Sequence, residues 1–158
     1  MISKWVLSFV SVIFLMMCIM LQAKAVEYEL PDTHGQIQSF DQYKGKWVIV
    51  NYWATWCGTC MKELPELAAF HENNKDSDAV VVGINFEFIE SDNLKRFVTD
   101  KSIPYTVLST KPVRETPLGN VPALPTTYII DPQGKVVAGE VGIVTQENLE
   151  NYIKQKKG

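Results

Sequence analysis

The sequence predicts one α/β domain in the order β-hairpin, βαβαβ, ββα, carried behind an apolar N-terminal leader. Three observations carry that reading. Two strongly apolar runs of strand length, Trp47–Trp53 and Val80–Asn85, bracket a stretch with helical spacing, as in a parallel βαβ unit buried on both faces. Two further strand-like runs, joined by Asp131-Pro132-Gln133-Gly134, precede a last amphipathic stretch. The chain has 158 residues, enough for one domain and too few for two ordinary ones.

The leader comes first. Lys4 supplies a positive start, Trp5 to Leu21 is uncharged and apolar, and Ala23-Lys24-Ala25 has the small-x-small form of a signal-peptidase site. Residues 1–25 therefore read as a signal peptide, and residues 26–158 as the folded domain beginning at Val26. The alternative is an uncleaved anchor, since the run over residues 5–21 sits at the lower edge of spanning length. Met17 before Cys18 stands where a lipoprotein signal wants a small residue, which argues against acylation there. Either way the domain is exported, to the periplasm or an equivalent extracytoplasmic space.

The elements follow in order. Tyr28–Leu30 and Ile37–Phe40 flank the turn-rich Pro31–Gln36 and read as a small hairpin. Trp47–Trp53 is broken only by Asn51, which implies burial on both faces. A helix is expected from Thr59 to Asn74, with Met61, Leu64, Leu67 and Ala68 inward and Pro65 kinking it. After the strand Val80–Asn85, Ser91 is expected to cap a helix carrying Leu94, Phe97 and Val98. Thr106–Leu108 reads as a short strand. Lys111–Pro125, with four prolines, reads as loop. Thr126–Ile130 and Val136–Val141 are strands. Thr145 caps a last helix with Leu149, Tyr152 and Ile153 inward. His71 is expected on the surface near a helix end and His34 in a turn, neither with a chemical role. The Lys154, Lys156, Lys157 tail reads as a solvated terminus.

Composition excludes some functions. Without Lys4 and Lys24 the domain carries 13 basic and 18 acidic residues, a net charge of −5. No nucleic-acid partner is expected, because that binding needs a basic surface. Only Cys57 and Cys60 remain in the domain, so no framework of structural disulfides is available. A bridge between them closes too short a loop to stabilise much. Zinc needs more ligands, and neither histidine stands with a further cysteine. No metal and no cofactor is expected beyond the dithiol itself.

That dithiol is the chemical signal. Trp53-Ala54-Thr55-Trp56-Cys57-Gly58-Thr59-Cys60 places a C-x-x-C pair between a buried strand and a helix. The helix start offers unpaired N–H groups and partial positive charge, which favour a thiolate on Cys57. Cys57 then reads as an exposed nucleophile of lowered pKa. Cys60, one turn deeper, reads as the resolving thiol.

These residues, with Lys44-Gly45-Lys46, Met61–Leu67, Pro125–Asp131 and Gly134, resemble the thioredoxin-fold superfamily. Within it the chain is similar to the exported TlpA/ResA-like thiol–disulfide oxidoreductases. The resemblance spans the domain and is loosest between Asn85 and Leu124. It implies a thioredoxin-like three-layer fold, a central mixed β-sheet flanked by helices, with the hairpin as an N-terminal extension. It also implies that Pro125 is the cis-proline beside the C-x-x-C, leaving the Leu124 backbone free to pair with a substrate strand. Trp56, Gly58, Thr59, Leu124 and Thr126 are thus the substrate-binding candidates, beside the catalytic candidates Cys57, Cys60, Glu63 and Pro125.

Glu63 matches an acidic position of ResA-like proteins one turn past the second cysteine. It can hold a proton and raise the thiol pKa values, or it can be a first-turn partner of the helix dipole. Asn51 stands where thioredoxin has a buried acid, and an amide cannot titrate, which favours the first role. Trp53 reads as core.

Thr59 brings no charge to the thiolate and Glu63 opposes it, so the expected direction is reducing. The resemblance points the same way and implies a membrane thiol donor of the DsbD/CcdA type. Clients would be exported cysteine-containing proteins, with apocytochrome c during cytochrome c maturation among the candidates. The alternatives are a disulfide oxidant or isomerase, a thiol-dependent peroxidase, or a non-catalytic chaperone-like binder. A peroxidase usually sets its cysteine in a Thr/Ser-rich loop, unlike Trp56-Cys57-Gly58.

Overall fold

The computed structural model describes residues 25–113 and 115–157. The expected signal peptide or anchor, with its cleavage site after residue 25, lies almost wholly outside the described residues. Among those described, no helix is long and apolar enough to cross a membrane.

The chain forms β1 (Glu29–Pro31), β2 (Ile37–Ser39), a 3-10 helix (Phe40–Tyr43), β3 (Trp47–Trp53), α1 (Gly58–Asn74) and β4 (Ala79–Phe86). It continues with α2 (Ser91–Asp100), β5 (Thr106–Thr110), β6 (Glu115–Thr116), β7 (Gly119–Asn120), β8 (Thr126–Ile130), β9 (Val136–Val141) and α3 (Gln146–Lys157). A mixed five-stranded sheet of order β5-β4-β3-β8-β9 is the centre, with β3, β4 and β5 parallel and β8 and β9 antiparallel. β1 and β2 make the expected separate hairpin.

The two faces of β3 follow its period of two. Trp47, Ile49 and Trp53 enter one core, together with Leu67 and Phe70 of α1, Leu94 of α2, and Leu149 and Ile153 of α3. Val48, Val50 and Tyr52 enter the other, with Tyr28, Leu30, Phe40, Leu118 and Val121. α1, α2 and α3 thus all contribute to one core. The opposite face is closed by the hairpin, the 3-10 helix and residues of the 111–125 segment. Asn51 has the parity of Ile49 and Trp53, so its amide points toward the helices.

Several expectations change. Phe70, Cys60 and Glu63 are buried on α1, while Met61 and Ala68 are only half-buried, so the inner face is rotated from the one the apolar spacing suggested. Ser91 does not cap α2; it is the first helical residue, and Glu90 stands at the N-cap without a side-chain bond. The 111–125 segment is not all loop. Its prolines flank or turn the β6–β7 hairpin, which Tyr52 and Tyr128 tie down through Thr116 Oγ1 (3.0 Å) and the Asn120 carbonyl (2.6 Å). His71 is half-buried: Nδ1 accepts the Val81 N–H at 3.1 Å, and the ring meets Tyr105 edge-on. The C-terminal lysines are not simply solvated, because Lys157 pairs with Asp78 and Lys156 lies 5.5 Å from the Tyr152 ring centre.

Candidate active site

The central strand β3 delivers the chain to the sheet edge at Trp53, and Ala54-Thr55-Trp56 carries it to the head of α1. There Cys57 is the N-cap, in extended conformation (φ −81°, ψ 100°). Its Sγ accepts the Cys60 N–H at 3.1 Å, so the sulfur occupies the place a capping oxygen usually fills. The Cys57 N–H returns to the Ala54 carbonyl at 3.1 Å. A thiolate at this position would keep that backbone donor and lie at the positive end of the helix, both of which favour the anion.

Cys57 and Cys60 are joined by a disulfide with Cα atoms 5.3 Å apart. Cys57 is not the open thiol that its helix-start position suggested. Only 6% of it is accessible, because both cysteines pack into the helix-side core, and Cys60 is fully buried. The exposed part of the loop is Trp56 at 71%, followed by exposed Gly58 and Thr59. Trp53 is plain core, stacked at a tilt on Phe97.

The Leu124–Pro125 peptide is cis. Pro125 is buried, and its carbonyl accepts the Gly142 N–H at 2.9 Å. The Thr126 hydroxyl donates to the Ala123 carbonyl at 2.7 Å, bracing the turn from its far side. Thr126 is buried by this arrangement, whereas Leu124 is half-buried against both cores.

Glu63 lies one turn past Cys60 and is fully buried. Neither surface position nor the first helical turn accounts for it, so the dipole-partner reading gives way. The Asn51 amide donates to one carboxyl oxygen at 2.8 Å, and the Val144 N–H to the other at 3.2 Å. Asn51 also donates to the Thr127 hydroxyl at 3.0 Å, its register partner across β3 and β8. Burial pushes the Glu63 carboxyl up to about 7, against these bonds, which favour its ionised form. An acid that titrates near neutrality beside a dithiol can store and return a proton.

Sequence reasoning missed Glu87, whose carboxylate accepts the Thr55 N–H at 2.7 Å, the Thr55 hydroxyl at 3.2 Å and the Asn85 amide at 2.8 Å. The available signal was parity: Thr55 and Glu87 each lie two residues past a paired position of β3 and β4. Glu66 was also missed; it accepts the Gln146 N–H at 2.9 Å and so caps α3 from α1. Among the described residues, no three His, Cys, Asp or Glu side chains gather to hold a metal ion.

Comparison with known proteins agrees with this geometry. The model of the AhpC/TSA family matches residues 21–138. A relative named thiol-disulfide oxidoreductase ResA, from Bacillus anthracis, is 31% identical over 133 residues, covering 84% of this chain and 76% of its own. The protein of the same name from Bacillus subtilis is 31% identical over 129 residues, covering 82% and 72%. A solved structure of a DsbF homologue from Corynebacterium diphtheriae superposes with a TM-score of 0.73 at 30% identity, covering 85% of this chain and 87% of that one. A secreted thiol-disulfide isomerase from Corynebacterium glutamicum gives 0.73 at 26%, covering 81% of each.

Proposed function

The chain belongs to the AhpC/TSA family of thioredoxin-fold proteins and is a thiol–disulfide oxidoreductase, and from that premise we propose that it reduces disulfides in exported proteins. The observation that carries the direction is the buried Glu63. Its negative charge, when present, disfavours a thiolate nearby, and Thr59 adds no cation to offset it. A less stabilised thiolate gives up its electrons more readily.

In the proposed cycle the Cys57 thiolate attacks one sulfur of a client disulfide and expels the other as a thiolate. Cys60 loses its proton, with Glu63 as the acceptor in reach of that turn, and attacks the Cys57 sulfur. The Cys57–Cys60 disulfide forms, the second client thiol leaves, and two electrons have passed to the client. Trp56, Gly58, Thr59 and the half-buried Leu124 form the client contact, with the Leu124 backbone able to pair with an extended peptide, while buried Pro125 and Thr126 support that turn from within. The leader argues for an extracytoplasmic site of action. In that oxidising setting a membrane thiol donor of the DsbD/CcdA type would regenerate the dithiol. Apocytochrome c is a fitting client, because its haem-binding cysteines must be reduced before attachment.

Equilibration of the chain with defined thiol–disulfide buffers tests the direction. The expected potential lies well below the ~−180 mV of protein disulfide isomerase, toward the ~−270 mV of thioredoxin. A value near ~−120 mV, as in a strong oxidant, would reverse the assignment.

A further inference from the structure

We propose that Glu87 is a positioning residue for disulfide exchange, holding the Ala54-Thr55-Trp56 strap that sets Cys57 at the head of α1; this rests on the exchange function argued above.

The β3–β4 ladder ends with Trp53 opposite Asn85. Two residues further on, Thr55 and Glu87 would face each other had the strands continued. Continuing would keep the chain in the sheet, yet it must leave to reach Cys57. The Glu87 side chain resolves the conflict by taking the Thr55 N–H at 2.7 Å that a neighbouring strand would otherwise accept. The same Oε1 accepts the Asn85 amide at 2.8 Å, and Oε2 accepts the Thr55 hydroxyl at 3.2 Å. Three donors therefore converge on one acceptor-only group. Asn85 is fully buried, so the anchored end is rigid. On the other side, the Cys57 N–H to the Ala54 carbonyl (3.1 Å) closes the strap into a short loop.

The pinned residues are the immediate neighbours of Trp56 and Phe88, which are 71% and 77% exposed. One junction thus fixes the Cys57 sulfur from one side and orients two outward aromatics. Glu87 touches no reacting atom. Its effect is on the approach geometry, where misplacement by about 1 Å costs on the order of a hundredfold in rate.

The test measures reduction of insulin disulfides by the reduced full chain, with alkylation of Cys57 followed against pH. Glu87→Ala should slow reduction about tenfold or more. Glu87→Gln keeps the reach and one carbonyl acceptor, so it should recover most of the rate and leave the alkylation profile unchanged. Wild-type rates in a folded Glu87→Ala, or Glu87→Gln as slow as Glu87→Ala, would overturn the proposal, the latter in favour of a charge effect. Should Glu87→Ala not fold, Glu87→Asp decides. It keeps the charge but shortens the reach, so slowing supports positioning and an unchanged rate refutes it. If the wild type reduces no insulin, the reductase reading fails instead, and the same ratios are read from oxidation of dithiothreitol.

Discussion

Glu63 places an ionisable group where charge is disfavoured, and the consequence for stability has a definite sign. Its carboxyl is raised from 4.5 to about 7 in the folded protein. Folding therefore favours the protonated acid. That contribution is complete below the unfolded value and is lost as pH rises through the folded one. The oxidised domain should lose on the order of 3 kcal/mol from this group between about pH 4.5 and 8. His71 acts in the other direction: desolvation lowers its pKa, so it withdraws stability as pH falls. Subtracting the profile of Glu63→Gln from that of the wild type removes the histidine and leaves the carboxyl alone. Thermal melts of both oxidised proteins across this range check it, and parallel curves would show that Glu63 is not titrating there. The position of this acid was legible from its spacing to Cys60. Its environment was not, because its partners Asn51 and Val144, and Thr127 that binds Asn51 in turn, come from three other places in the chain and meet only through the β3–β8 register and the packing of α1.

β3, β8 and β9 could be bounded from sequence alone because turns and apolar runs delimit them locally. The hairpin and α1 were close for the same reason. What escaped was set by neighbours. The inner face of α1 includes Glu63 and Phe70 because Asn51 and the helix-side core select it, and no hydropathy pattern places a glutamate there. The β6–β7 hairpin was hidden by the segment's four prolines, of which Pro112 and Pro122 flank it and Pro117 lies in its turn. Gly83 is another case: a gap in an apolar run by sequence, and a close approach in the fold. A Cβ on Gly83 would stand 2.9 Å from Trp53 Nε1 and 3.1 Å from Tyr105 Cε2, both on buried rings. Gly83→Ala should therefore cost about 1–3 kcal/mol through overpacking of β4 against these two rings. Urea unfolding should show a lower midpoint with an unchanged slope. An unshifted midpoint would mean that the Trp53 and Tyr105 rings repack freely.

At the scale of the whole molecule, the fold uses both faces of its sheet differently. α1, α2 and α3 bury one face, with Glu63 buried on α1 one turn past Cys60, while the hairpin and the 111–125 segment close the other. The C-x-x-C, the Leu124–Pro125 turn and exposed Trp56 are left at one end, where the proposed client would lie as an extended segment. Trapping tests that layout in cells. Cys60→Ala removes the resolving thiol, so Cys57 should accumulate mixed disulfides with its partners. Cys57→Ala cannot make the first attack and should accumulate none. The trapped partners should be exported proteins with C-x-x-C or closely spaced cysteine pairs, together with a membrane thiol donor. Recovery of both classes from Cys60→Ala alone would establish client and donor with one experiment, since each must pass through the same Cys57 sulfur. An empty trap, with the wild type consuming peroxide, would instead favour a peroxidase whose attacking cysteine resolves without a protein partner.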